Sequence, residues 1–127
     1  MGGVFLKIAY DSLKPIYVQI AEAIEDDVLS GELLEGEPSY SQLVIAKELK
    51  VNPATAAKGI NLLVSEGILQ KQRGLSMIVA PGAREIILEK RRSSKLVKML
   101  QDFLVEAKKL NVSKSEIQKL IDQHFQE

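Results

Sequence analysis

The chain has no cysteine, a single histidine and no run of about 18 consecutive apolar residues. Without cysteine there can be no disulfide scaffold, thiolate metal site or cysteine nucleophile, which fits a reducing compartment. The missing apolar run excludes a bilayer-spanning helix. The opening stretch MGGVFLKIAYDSLKP offers only a short apolar patch, broken by Tyr10 and Asp11. It lacks the core of a signal peptide, so it is expected to be mature protein in the cytoplasm. Leu6 stands where an amino-terminal myristoylation motif needs Ser or Thr. The histidine, His124, lies near the carboxyl end, and no acidic residue sits at metal-ligand spacing. A glycine-rich phosphate loop is also missing. Neither enzymatic chemistry, nor a metal, nor a cofactor is expected.

What is present is ordinary for a globular protein: 127 residues, 46% hydrophobic and 27% charged. That length supports one compact domain plus a short appendage. Basic and acidic residues balance at 17 each, but unevenly. Residues 1–36 carry two Lys against seven acids, a net −5. Residues 37–79 carry +2 and residues 80–127 carry +3. A basic middle and tail permit a phosphate-facing surface without requiring one.

Hydrophobic spacing then divides the chain. Ile16, Ile20, Ile24 and Val28 recur at i, i+4 between Pro15 and Gly31, which predicts an amphipathic helix. Its acids, Glu22, Glu25, Asp26 and Asp27, mostly fall on the other side. In YSQLVIAKELK, Leu43, Ala46 and Leu49 make one helical face. Its cap is either Ser39, with Gln42 at capping-box spacing, or Ser41. Only Lys50 and Val51 separate it from Asn52-Pro53, a start signal for a third helix over about 53–66. There Ala56, Ile60 and Leu63 face inward, and Ala54, Lys58, Asn61 and Ser65 outward. Two short helices joined this tightly make a helix-turn-helix candidate. The runs ILQKQ and MIVA, separated by Arg73-Gly74-Leu75-Ser76, predict a hairpin over 68–80.

The expected fold class is mainly α with a small β-hairpin. A winged helix-turn-helix domain at 1–80 precedes a helical dimerisation tail at 81–127. In the tail, Leu96, Leu100, Phe103, Ala107 and Leu110 are spaced 4, 3, 4, 3, a coiled-coil-like seam of two heptads. Ser113 and Glu116 form a capping box for a last helix carrying Ile117, Leu120, Ile121 and Phe125. Neither helix can cover its own apolar stripe, so packing on each other and on a second subunit is expected.

The third helix opens with Ala54, Thr55, Ala56, Ala57 and Gly59, from which only Lys58 projects far. A helix front of small side chains can press into the major groove of B-DNA. The competing explanation is that Ala and Gly simply let helices pack closely. Thr55 can donate to a phosphate or meet a thymine methyl, and Lys58 and Asn61 can face bases or phosphates. The helix-start amides after Asn52 and Ala54 favour a phosphate oxygen. Gly74 suits a tight turn, and Arg73 suits a minor groove or a phosphate.

The segments PIYVQIAEAI, GELLEG, AKELKVNPATA, LLVSEGIL and QRGLSMIV resemble the amino-terminal domain of GntR-type transcriptional regulators. The short helical tail is similar to that of the YtrA-like subfamily. The resemblance implies a homodimeric, repressor-like protein on a palindromic double-stranded DNA operator. Carried over by position, it assigns Ser41, Thr55, Lys58, Arg73 and Gly74 to DNA contact or positioning. Tyr40 replaces the usual Pro of the second helix, Leu43 stands where an Arg is usual, and Ser76 replaces a second wing Gly. Losing such an Arg contact costs about 1–3 kcal/mol per half-site. Lys47 and Lys50 can compensate, and Lys71 can add a phosphate contact. A winged-helix module that binds protein is the alternative. The tail is too short for a large ligand-binding domain, and no motif names a small-molecule effector.

Overall fold

The computed structural model describes residues 8–74 and 77–126; Leu75 and Ser76, including the Ser76 departure, lie outside the described residues. Its contacts divide the chain into two compact units, 1–88 and 89–127.

In the first unit, α1 (Ile16–Ser30), α2 (Gln42–Leu49) and α3 (Pro53–Ser65) precede a hairpin of β1 (Leu69–Gln70) and β2 (Ile78–Val79). Helix α1 starts after Pro15 and stops at Gly31, whose φ of 91° lets its N–H turn back to the Val28 carbonyl. Ile20, Ile24 and Val28 are buried and Ile16 is half-buried, as the i, i+4 spacing predicts. Each such buried side chain contributes about 1.5–3 kcal/mol. Glu25 departs from the expected acidic outer side, because it is buried with the core face.

Ser41 is the cap of α2: its Oγ accepts from the Val44 N–H at 3.1 Å. Ser39 is instead buried, with its backbone N–H donated to the Met77 carbonyl at 2.8 Å. The inward face of α2 is Ile45, Ala46 and Leu49, and Leu43 is 74% exposed. Residue 43 falls in the first turn on the solvent side, so Leu43 does not share a buried face with Ala46 and Leu49. Tyr40, in place of proline, is buried and donates its hydroxyl to Asp27 Oδ2 of α1 at 2.5 Å. Burial, then that carboxylate, push its phenol well above the ordinary tyrosine range.

The turn between α2 and α3 passes through Lys50 at φ 54°. The Lys50 and Val51 N–H groups both donate to the Ala46 carbonyl. Asn52 then caps α3, its Oδ1 accepting from the Ala54 N–H at 2.8 Å.

The ladder pairs Leu69 with Val79 and Gln70 with Ile78, shorter than the runs predicted at 68–72 and 77–80. Strand β2 is bonded on both sides: β1 lies along one, and along the other the Val79 N–H donates to the Glu37 carbonyl and the Gly36 N–H to the Val79 carbonyl. Helix α4 (Ala83–Lys90) follows. Glu35 anchors its start, accepting from the N–H groups of Gly82 at 2.8 Å and Arg84 at 3.0 Å. Those two bonds hold the Glu35 carboxyl below its ordinary range. Ala83 and Ile87 are buried in the core of this unit. The expected boundary was 80/81; the contacts divide at 88/89 because α4 supplies those two core residues.

A five-residue π-helical turn, Arg91–Lys95, leads into α5 (Leu96–Lys109). Within the second unit, a turn through Asn111 (φ 57°) joins α5 to α6 (Lys114–His124). The Ser113–Glu116 capping box is closed in both directions. Of the expected seam, Ala107 is buried, whereas Leu96, Leu100, Phe103 and Leu110 are exposed. On α6, Ile117 is half-buried and Leu120 and Ile121 are exposed. An apolar groove of about 530 Å³ runs between the two helices, lined by Leu100, Leu104, Ala107, Val112, Ile117 and Ile121.

Candidate nucleic-acid interface

Helix α3 sorts its small residues onto two sides. Ala56 and Gly59 are buried with Ile60 and Leu63, while Ala54 is exposed and Ala57 half-buried. A Cβ on Gly59 would stand 2.9 Å from the Tyr17 carbonyl oxygen and 3.0 Å from Ile20 Cγ2 of α1. Half of the small-residue run therefore serves helix packing, and the other half leaves the outer side of α3 thin. Lys58, Asn61 and Ser65 share that outer side with Ala54.

Three elements meet beside it. A groove of about 270 Å³ is lined by Ser41 and Gln42 of the α2 start, Ala57, Ile60 and Asn61 of α3, and Lys71 and Met77 of the hairpin. The fold thus brings together Ser41, Asn61 and Lys71, three expected site residues from separate parts of the sequence. Arg73 and Gly74 are exposed at the hairpin tip, where Gly74 takes a φ of 72° with open space around its Cα. That backbone region favours glycine, as the tight turn requires.

Lys58 is not part of this groove. Its Nζ lies over the Tyr17 ring of α1, 4.1 Å from the centroid, a cation–π contact. Thr55 is half-buried, and the Asn52 side-chain oxygen is engaged in capping. Lys47 and Lys50 are exposed on the last turn of α2 and in the following turn. Residues 41–74 hold five cations against two acids, Glu48 and Glu66, so this stretch is positive on a chain of zero net charge.

Two contributors escape the sequence reading. Gln42, noted there only as a capping partner, donates Nε2 to the Pro53 carbonyl at 3.1 Å and ties α2 to the first turn of α3. Tyr17, predicted as part of an ordinary amphipathic helix, receives the Lys58 ammonium. Only the capping-box spacing of Ser39 and Gln42 hints at Gln42, and no local pattern marks Tyr17.

Comparison with known proteins places the chain among transcriptional regulators. The chain is 31% identical over 108 residues to the uncharacterized HTH-type transcriptional regulator YhcF of Bacillus subtilis, covering 85% of this chain and 88% of the relative. Among solved structures, it is similar to YtrA from Sulfolobus acidocaldarius, a GntR-family transcription factor. Identity there is 33%, coverage 92% and 93%, and the TM-score 0.56. It also resembles BusR of S. agalactiae in complex with its busAB promoter DNA. That match has 25% identity and a TM-score of 0.55, and covers 87% of this chain and 55% of BusR. No family model matches the chain.

Proposed function

The chain belongs to the GntR family of transcriptional regulators, and from that premise we propose that it is a sequence-specific DNA-binding repressor. It is of the short-tailed YtrA-like kind and acts as a homodimer on a palindromic operator. Membership of a regulator family is also the positive reason for not reading it as an enzyme. The observation that carries the proposal is the convergence of Ser41, Asn61 and Lys71 on one groove beside the thin outer side of α3. A major groove about 12 Å wide accepts such a helix face. Helix α3 enters it, and the 68–80 hairpin with Arg73 and Gly74 meets the neighbouring backbone or minor groove. BusR, a more distant likeness, is known on promoter DNA, which supports the same partner here.

The exposed apolar residues of α5 and α6 support the dimer. Leu96, Leu100, Phe103, Leu110 and Leu120 are large apolar side chains left exposed to water. A two-fold dimer covers them and presents two copies of α3 to two half-sites.

The test is selection of duplexes from a random pool, followed by titration at several salt concentrations. The expected outcome is an enriched inverted repeat whose log affinity falls linearly with log salt. Failure to enrich any duplex, or a flat salt response, overturns the proposal. One observation favours a second reading, a protein-binding winged helix: Leu43 and Val44 lie adjacent on α2 and are 74% and 43% exposed. The flat salt response is the outcome that reading predicts.

A further inference from the structure

Residues 8–14 lie outside the DNA-reading groove, yet they are tied down closely. The Ala9 N–H donates to Gln19 Oε1 at 2.7 Å, and Gln19 Nε2 donates to the Ala9 carbonyl at 3.0 Å and the Lys14 carbonyl at 2.9 Å. The Ser12 Oγ accepts from the Lys14 N–H at 3.1 Å, and the Lys14 ammonium pairs with Glu22 at 2.8 Å. Ile8 packs against the core. The segment is thereby closed into a strap over the start of α1.

From this strap the Tyr10 hydroxyl donates to the Leu49 carbonyl at 2.6 Å, across 39 residues of sequence. Burial does not account for Tyr10, which is 65% exposed. Leu49 is the last residue of α2, and its carbonyl is one of the four that a helix end leaves without an internal partner. The next residue, Lys50, adopts the left-handed backbone that non-glycine residues disfavour. Three residues later, at Pro53, α3 begins. The bond therefore falls at the joint that sets how α3 leaves α2.

We infer that Tyr10 is a positioning residue for DNA reading: its hydroxyl holds the end of α2 and so fixes the turn that aims α3. The DNA half of this inference rests on the function proposed above, whereas the hold on the turn does not. The test uses the full chain with Tyr10→Phe, which keeps the ring and removes the bond. Amide hydrogen exchange without DNA is expected to speed up at Lys50 and Val51 by about two- to ten-fold, the loosening that one lost hydrogen bond allows. Core amides at Ile24 and Leu63 keep their rates. Against a duplex that the wild-type chain selects from a random pool, affinity falls by about three- to ten-fold. The salt slope stays the same, because the substitution removes no positive charge.

Gln19→Leu, which frees the strap without touching Tyr10, should reproduce both changes. Unchanged exchange at Lys50 and Val51 overturns the inference, as does unchanged affinity despite faster exchange. Weaker binding with unchanged exchange at Lys50 and Val51 assigns the hydroxyl to direct DNA contact. A wild-type chain that selects no duplex overturns the proposed function itself, and with it any role of Tyr10 in reading, whatever exchange shows.

Discussion

The ammonium of Lys58 rests on the ring of Tyr17, 4.1 Å from its centroid, so the one long side chain on the thin front of α3 is held by a neighbouring helix. The contact keeps the cation on the rim of the outer side and out of the groove shared by Ser41, Asn61 and Lys71. An exposed contact of this kind stabilises by about 0.5–1 kcal/mol, too little to be the main support of the α1–α3 packing.

Lys58→Ala is therefore expected to shift thermal stability by no more than a few degrees. It should weaken operator binding and lower the salt slope by about one unit. Arg73→Ala, at the exposed hairpin tip, should behave alike. Unfolding in either variant, seen by circular dichroism, would make that residue structural.

Gly59→Ala is expected to destabilise the first unit by about 1–3 kcal/mol in urea denaturation. The added methyl meets a backbone carbonyl that cannot swing aside. Ala54→Gly, on the exposed side of the same helix, costs about 1 kcal/mol at most, through helix propensity alone. Equal effects of the two would contradict the division of α3 into a packing side and an open side.

Glu35 links stability to acid. Its carboxyl is held below the ordinary value of 4.5 by the N–H groups of Gly82 and Arg84. Its stabilising contribution is therefore present above that ordinary value and is lost as pH falls through the lower folded value. Glu35→Gln should melt below wild type at neutral pH, with the gap closing as pH falls below the ordinary carboxyl value and through the lower folded one. A gap constant with pH would show that the charge is not what anchors α4.

Lys50→Gly separates conformation from charge. Glycine accepts the φ of 54° without strain but loosens the unfolded chain, so stability should stay level or rise by up to about 1 kcal/mol. If the Lys50 ammonium serves a phosphate, operator affinity falls while stability does not.

Leu100→Asp combined with Phe103→Asp places two charges on the exposed apolar side of α5. Light scattering is expected to report monomers, with the circular dichroism of the first unit retained. Persistent dimers would locate the interface elsewhere.

Much of the architecture was legible because it follows from local rules. The i, i+4 isoleucines of α1, the Asn52-Pro53 start of α3 and the Ser113–Glu116 box are short-range signals, and each element formed where they stood. The errors lie where two segments meet. Leu43 was expected on one face with Ala46 and Leu49, but α2 buries Ile45 with Ala46 and leaves Leu43 in solvent. The strands came out shorter than predicted because β2 shares its bonds with residues 36–39. The first unit runs past Pro81 because Ile87 finds a place in its core.

The sequence by itself determined that this chain builds a helix-turn-helix followed by a hairpin, since periodicity, caps and turn glycines act over a few residues. Which small residues of α3 face a neighbour and which face outward was decided only by the closeness of α1. So were the partners of Lys58 and Tyr10, seated on a ring 41 residues away and a carbonyl 39 residues away. Contacts of that range depend on how helices dock, and docking is settled by the shape of the whole core.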